Sequence, residues 1–221
     1  MGALFNTAIY APILSVLKFL YLNVSFGDLG VAIFALTVIV RLVLLPLFYK
    51  GAKDQTILQR LQPHIRKIQL DHKDDKEKQA KAMMDLYKTN RVNPFSGFLL
   101  LLIQLPIFIA LFEIFTTGIK SNIFVNPTLF GLSLSAPSYL MAVIAALLQY
   151  FQGKMSMPAG KSMEATQKVM VVVGPLVTVL VLGNLPAALS WYWTVSNLFS
   201  LGQQFYINKK LPPLPDAAAA K

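Results

Sequence analysis

Apolar stretches that approach the width of a bilayer alternate with polar segments along this chain. An α-helix needs about 20 apolar residues, at 1.5 Å rise each, to cross the hydrocarbon core of a membrane. The pattern therefore predicts an all-α membrane protein with five transmembrane helices. The predicted spans are residues 29–49, 94–117, 138–152, 169–184 and, after a short outside turn, 185–207.

Two of these spans are short. The spans at 138–152 and 169–184 each contain about 14 strongly apolar residues, which gives roughly 21 Å of helix. Because a bilayer core is about 30 Å thick, we expect local thinning or the inclusion of flanking residues.

The segment 50–93 is charged and contains no apolar run long enough to cross a membrane. Apolar residues recur there at helical spacing, over 58–68 and again over 80–87. Between them lie Asp74 and Asp75, and aspartate suits a helix N-terminus. The segment is therefore predicted to be a solvent-exposed hairpin of two helices.

The other segments are less regular. Within the outside segment 1–28, apolar spacing over 10–22 predicts either an amphipathic helix in the membrane interface or an ordinary packed helix. The segments 118–137 and 153–168 are expected to be loops. The Pro- and Ala-rich tail 208–221 is expected to be disordered.

Composition and charge support a membrane protein and orient it. The chain is 55% hydrophobic and 14% charged, whereas soluble domains carry about 25% charged residues. With the N-terminus outside, the inside segments 50–93, 153–168 and 208–221 hold eleven, three and three of the 20 basic residues. Since membrane proteins concentrate Lys and Arg on the cytoplasmic side, we predict an outside N-terminus and a cytoplasmic C-terminus. The net charge of +10 then requires no nucleic-acid partner.

Arg41 is the strongest single functional signal, because it is a charge inside the first predicted span. An arginine at the centre of a bilayer costs roughly 2.5–3.5 kcal/mol on insertion scales, so it normally faces a bundle interior or a watery cavity. Thr37 lies one turn earlier on the same helix face, which favours an inward polar stripe. The alternative is that Arg41 extends its side chain to the cytoplasmic interface.

A second polar stripe lies on the fifth predicted span. Such polarity requires one helix face to meet protein or water. Either hydrogen bonds between helices or a hydrated groove would satisfy it, and the additional presence of Arg41 favours the groove. The candidate residues are Tyr192, Trp193, Ser196 and Asn197, with Gln104, Gln149 and Gln152 contributed by the second and third spans.

No catalytic motif is present. The chain has no cysteine, and His64 and His72 lack metal-ligand spacing. No pair of carboxylates lies within the spans, where Glu113 is alone near the outer edge. We therefore predict neither enzymatic activity nor a cofactor. A small channel or transporter that uses the polar stripe, and a structural assembly factor, are the alternative functions.

Several runs of residues resemble the YidC family of membrane insertases, in order and over roughly residues 5–210. The runs that carry the resemblance are 37–47, Asn93-Pro94 followed by 102–111, 151–156, and 192–198 followed by Gln203-Gln204. The charged segment 74–88 is also similar to the family's cytoplasmic coiled region.

The resemblance implies a core of five helices around a hydrophilic groove that is open to the cytoplasm and to lipid and closed outside. The positions that match the family's groove or substrate contacts are Arg41, Thr37, Gln104, Tyr192, Trp193 and Gln152, with Gln149 as the alternative to Gln152.

The resemblance also implies an activity and partners. The family inserts nascent membrane-protein clients into the bacterial plasma membrane, alone or with the Sec translocon and the ribosome. We expect the protein to differ from many members in having neither a large periplasmic domain nor a lipoprotein signal. Its short, scarcely basic tail argues against ribosome binding through the tail.

Overall fold

The computed structural model describes residues 2–118, 123–125, 127–157 and 165–211, with the backbone alone for 165–168 and 170. This part of the chain is almost entirely helical. Its elements are α1 (Ala3–Phe5), a π-helical turn (Asn6–Tyr10), α2 (Ala11–Asn23), α3 (Leu29–Val43), α4 (Leu45–Arg60), α5 (Gln62–Asp71), α6 (Lys76–Thr89), α7 (Ser96–Gly118), β1 (Thr128–Leu129), β2 (Leu132–Ser133), α8 (Tyr139–Met155), α9 (Ala165–Leu182) and α10 (Ala187–Lys210).

Two continuous helical stretches of the described chain are long and apolar enough to cross a membrane, namely Ala3–Asn23 and Ser96–Gly118. The bent pair α3 and α4 provides a third candidate span, and Val171–Leu182 is a shorter apolar helix. The N-terminal helix therefore begins well before the expected 10–22 and has the length of a span. Its predicted position in the interface stays a prediction.

The first predicted span, 29–49, is not one helix. The helix α3 ends at Val43, and α4 leaves it at an angle of 73°. Leu44, between them, has left helical geometry with φ −91° and ψ 4°. Pro46 explains the break, because proline has no N–H to donate and its ring clashes with the carbonyl four residues earlier. We call this bend the elbow.

The charged segment forms the expected hairpin, with α5 and α6 packed against each other. Its small core contains Leu61, Ile65 and Val92 and is separate from the main core. The turn ends at Asp75, whose Oδ1 accepts a hydrogen bond of 3.0 Å from the Lys78 N–H at the start of α6. The helix that leads into the hairpin, α4, begins at Leu45 rather than at residue 50, because the elbow comes early.

The main core lies at the end of the bundle opposite the hairpin, where α2, α3, α7 and α10 meet. The segment 118–137, which was expected to be a loop, contains a β-hairpin. Its strands β1 and β2 pair with each other, and β1 packs on α3 at this end of the bundle. Asp28 fixes both elements, since its carboxylate accepts hydrogen bonds from Val31 N–H (2.9 Å) and Phe130 N–H (2.8 Å). The two-residue strands are too short for a periodic sequence signal.

The last three helices are longer than predicted. The helices α8 and α9 contain 17 and 18 residues, which is roughly 26 Å of helix rather than roughly 21 Å. The extra turns come from the polar flanks that had been assigned to the loop 153–168. The helix α10 continues to Lys210, whereas the predicted helix ended at residue 207. Residues 158–164 of that loop and 212–221 of the tail lie outside the described residues.

Gly30 is required by the contact between α3 and β1. A Cβ at this position would lie 2.5 Å from the Leu129 Cβ, close to the strand backbone. We predict that Gly30→Ala lowers the free energy of unfolding by about 1–3 kcal/mol, the range for overpacking. Gly202→Ala is the matched control, because nothing lies within 4 Å of its Cβ position. It should stabilise α10 by up to about 1 kcal/mol. Thermal unfolding in detergent measures the stability of both variants. Equal changes in stability for Gly30→Ala and Gly202→Ala would contradict the contact between α3 and β1.

The Asp75 cap predicts a pH-dependent hairpin. The Lys78 N–H, and then the Lys78 ammonium at 3.0 Å, hold the pKa of Asp75 below its usual value. The cap therefore stabilises α6 fully above the ordinary carboxyl pKa, and this contribution is lost as pH falls through the lowered value. Hydrogen exchange of the Lys78 and Gln79 amides, compared between the wild type and Asp75→Asn, checks this. Asparagine keeps an acceptor without titrating, so an identical pH dependence in both proteins would exclude the carboxylate.

Candidate functional site

Arg41 lies in the last turn of α3, immediately before the elbow. Its side chain is only 9% exposed, and its guanidinium carbon lies 4.5 Å from the centre of the Phe48 ring on α4. The bend thus places an aromatic face against the cation, an arrangement worth about 2 kcal/mol when it is desolvated. The C-terminal position in α3 also favours a positive charge.

No carboxylate among the described residues lies within ion-pair distance of Arg41. A buried guanidinium without a carboxylate is costly unless water or an anion reaches it. Sequence reasoning had placed Arg41 deep inside a straight helix. The structure places it at the elbow, because α3 ends two residues later.

Thr37 is buried one turn before Arg41, as its spacing predicts. Its hydroxyl donates a hydrogen bond of 2.6 Å to the Ile33 carbonyl of the same helix. The Thr37 side chain therefore adds polarity beside Arg41 while its donor is used within α3.

The polar face of α10 bonds to the neighbouring helices. Gln104 of α7 donates through Nε2 to the Tyr192 hydroxyl. Asn197 donates through Nδ2 to the Ala145 carbonyl of α8 at 2.9 Å. Ser196 is buried on the same face, and its carbonyl accepts a hydrogen bond of 2.9 Å from the Ser200 hydroxyl. Interhelical bonding, one of the two interpretations of this stripe, therefore accounts for Tyr192 and Asn197.

Gln149 connects three helices. Its Oε1 accepts hydrogen bonds from the Thr178 hydroxyl of α9 (2.6 Å) and from Trp193 Nε1 of α10 (3.3 Å). The Trp193 ring packs edge-on against Phe108 of α7, with ring centres 5.6 Å apart. Gln152 is half-buried on α8 near the hairpin end of the bundle, where its carbonyl accepts from Ser156. Of the two alternative residues, Gln149 and Gln152, the structure places Gln149 within hydrogen-bond distance of Trp193.

A polar cluster at the hairpin end of the bundle was missed by sequence reasoning. Asp54 of α4 is 5% exposed, and its Oδ2 accepts a hydrogen bond of 2.6 Å from the Ser96 hydroxyl at the start of α7. Gln204 donates to the Thr56 hydroxyl at 2.9 Å, which joins α10 to α4. Asp54 and Thr56 lie in a charged stretch, so the sequence carries no signal that distinguishes them from surface residues.

These contacts divide the candidate residues into two groups. Gln104, Tyr192, Gln149, Trp193 and Asn197 use polar groups to hold the helices together. Arg41 is different, because its charge is buried against an aromatic ring and has no acidic partner in the described chain. It is the side chain best able to attract an anionic group from another molecule.

Residues 21–214 match the family model of the 60Kd inner membrane protein. The membrane protein insertase YidC of Geotalea uraniireducens is 35% identical over 208 residues, which is 93% of this chain and 38% of the relative. The protein of the same name from Geobacter sulfurreducens is 33% identical over 202 residues, which is 90% of this chain and 37% of the relative.

A solved structure has the same fold. It is described as an active YidC insertase crystal structure with the first transmembrane domain resolved. It superposes with a TM-score of 0.67 at 27% identity, over 93% of this chain and 47% of the solved chain. This chain thus spans less than half the length of the relatives that it matches.

The bond between Gln104 and Tyr192 predicts energetic coupling between α7 and α10. We expect a double-mutant cycle with Gln104→Leu and Tyr192→Phe to give a coupling energy of about 0.6–1.7 kcal/mol, the range for hydrogen bonds between membrane helices. Reversible unfolding in mixed micelles measures it. Gln104→Leu combined with Tyr150→Phe is the control, since Tyr150 packs on Phe151 and Lys154 instead. Additivity in both cycles would contradict the bond.

Proposed function

The chain belongs to the 60Kd inner membrane protein family, whose relatives include the YidC insertases, and from this premise we propose that it is a membrane protein insertase. The observation that carries the mechanism is Arg41, buried at the elbow without an acidic partner in the described chain. Arg41 attracts the acidic or polar tail of a client into a hydrated groove that is open to the cytoplasm and to lipid. The client's apolar segment then moves into the bilayer.

The groove belongs to a proposed five-span topology. The spans are α3, α7, α8, α9 and α10, with the N-terminus outside and the C-terminus in the cytoplasm of a bacterial cell. The distribution of basic residues supports this orientation, because eleven of them lie in the segment 50–93 and only Lys18 and Lys120 fall on the outside. The elbow then lies on the cytoplasmic side, next to the hairpin that first meets the client.

The driving force is the partition of the client's apolar surface, at about 25 cal/mol per Å². Arg41 lowers the barrier for the polar tail, because a charge in a site of low dielectric attracts an opposite charge more strongly than it would in water. No nucleotide takes part at this protein, which is not an enzyme. Its partners are nascent membrane-protein clients, the Sec translocon, the ribosome and lipids.

A conducting channel is the less favoured function. A pore requires polar lining along its full length, and the end of the bundle opposite the hairpin is filled with apolar side chains. Completely buried side chains there include Leu29, Ile33, Ile114, Phe115 and Leu189. The polar groups that would line a pore on α10 are also bonded to α7 and α8.

Replacing Arg41 tests the proposed mechanism. In liposomes that contain only this protein, we expect Arg41→Ala to lower insertion of a single-span client with an acidic tail about tenfold. Insertion of the same client with a neutral tail should stay within twofold. Arg41→Lys should retain most of the activity because the positive charge remains.

Lys18→Ala is the matched control, since it removes an exposed positive charge from the N-terminal helix and should leave insertion of both clients unchanged. Protease protection of the client's tail measures insertion. Equal loss with both tails would show that Arg41 acts through the fold. No loss with either tail would exclude its electrostatic role, and no insertion by the wild type would exclude the insertase function.

A further inference from the structure

A large apolar groove lies beside the elbow, between α4 and α10. It has a volume of about 770 Å³ and runs between the first turns of α4 and the second half of α10. Its lining is contributed by Leu45, Pro46, Tyr49, Leu198, Phe199, Gly202, Gln203 and Tyr206. The groove is distinct from the Arg41 site, because Phe48, which contacts Arg41, is buried and does not line it.

Both walls of the groove have the same sequence of side chains. On α10, Leu198, Gly202, Tyr206 and Lys210 follow one another at intervals of four residues and therefore share one helix face. On α4, Leu45, Tyr49 and Lys53 do the same. Each wall thus passes from aliphatic to tyrosine to lysine.

The two tyrosines and Lys210 meet at one end of the groove, and Lys53 follows Tyr49 by one turn of α4. The rings of Tyr49 and Tyr206 are 6.1 Å apart. The Lys210 ammonium lies 5.3 Å from the centre of the Tyr206 ring, and the side chains of Lys53 and Lys210 are exposed. The end of α10 therefore presents a cation beside an apolar groove, with tyrosines at the boundary.

This order of groups matches a phospholipid in the cytoplasmic leaflet. Acyl chains fit an apolar groove, tyrosine is enriched at the boundary between hydrocarbon and head groups, and basic pockets between helices on that side bind anionic head groups. The volume also lies within the range of small-molecule sites. We propose that the groove binds one anionic phospholipid, with its phosphate at Lys53 and Lys210 and an acyl chain along Leu198 and Gly202.

A second groove on the molecule has the same construction. It has a volume of about 340 Å³, lies between α8 and α9, and includes Tyr150 in its lining. The Lys154 ammonium lies 5.8 Å from the centre of the Tyr150 ring, one helical turn beyond it. Both grooves therefore have a tyrosine at one end and a lysine one helical turn beyond it. This repetition supports a lipid as the occupant, because every membrane-facing groove of a protein in a bilayer contacts lipid.

Lipid retention tests the proposal without any client, so its outcome is separate from that of the insertase assay. The full chain is placed in vesicles of equal phosphatidylglycerol and phosphatidylcholine with identical acyl chains, extracted in mild detergent, and analysed by native mass spectrometry. We expect the wild type to retain phosphatidylglycerol preferentially. Lys53→Gln with Lys210→Gln should lower that retention about tenfold or more, since each lysine contributes at a charged lipid surface.

Two further variants distinguish the contribution of the lysine charges to lipid retention from that of the apolar groove. Lys67→Gln with Lys81→Gln removes the same charge from the exposed hairpin and should leave retention unchanged. Gly202→Trp fills the groove from a position that has open space around its Cβ, and should lower retention of both lipids while the protein stays folded.

Three results would overturn the proposal. One is equal retention of the two lipids by the wild type. Another is equal behaviour of the two double-lysine variants. The third comes from a photoreactive residue that replaces Leu198. If it crosslinks to protein instead of lipid, a client or a second copy of the chain occupies the groove.

Discussion

The burial of one guanidinium is linked to the arrangement of helices at the hairpin end of this protein. A charged side chain in an apolar bundle must find water, an anion or an aromatic face. The elbow supplies the aromatic face, because Pro46 ends α3 and α4 turns back far enough to place Phe48 against Arg41. A straight helix over 29–49 would carry Phe48 away along its axis. The bend and the buried charge therefore depend on each other.

The remaining polar groups of the bundle follow a simpler rule. Where no water reaches, each buried donor or acceptor needs a hydrogen-bond partner in the protein. The amides of Gln104, Gln149 and Asn197 meet this need by linking α10 to α7 and α8, and α8 to α9. Ser190 and Ser196 also keep buried hydroxyls without a partner among the described residues, but Arg41 is the buried side chain of the bundle that carries a positive charge, so the proposed attraction of a client's acidic tail rests on it.

Much of this architecture could be predicted from the sequence, because apolar periodicity and helix caps are local signals. Asp75 and Ser138 begin α6 and α8 where their side chains suggest, and Arg41 was identified from its charge. The elbow was missed because the apolar run continues through Pro46. Asp54 was missed because its burial depends on Ser96, which lies 42 residues later and is brought near only by the packing of α7 on α4.

The same contacts indicate which part of the hairpin end of the bundle is held in place. The second half of α4 is held by the bonds of Asp54 to Ser96 and of Thr56 to Gln204, so lifting it would leave a carboxylate buried without a donor. Beyond Arg60 the situation differs, since α4 ends and the hairpin has a small core of its own. Swinging the hairpin about Leu61 would break none of those bonds. Ile57 and Leu58 of α4 pack against the hairpin core, so movement at Leu61 would disturb these apolar contacts while it leaves the polar bonds of α4 intact.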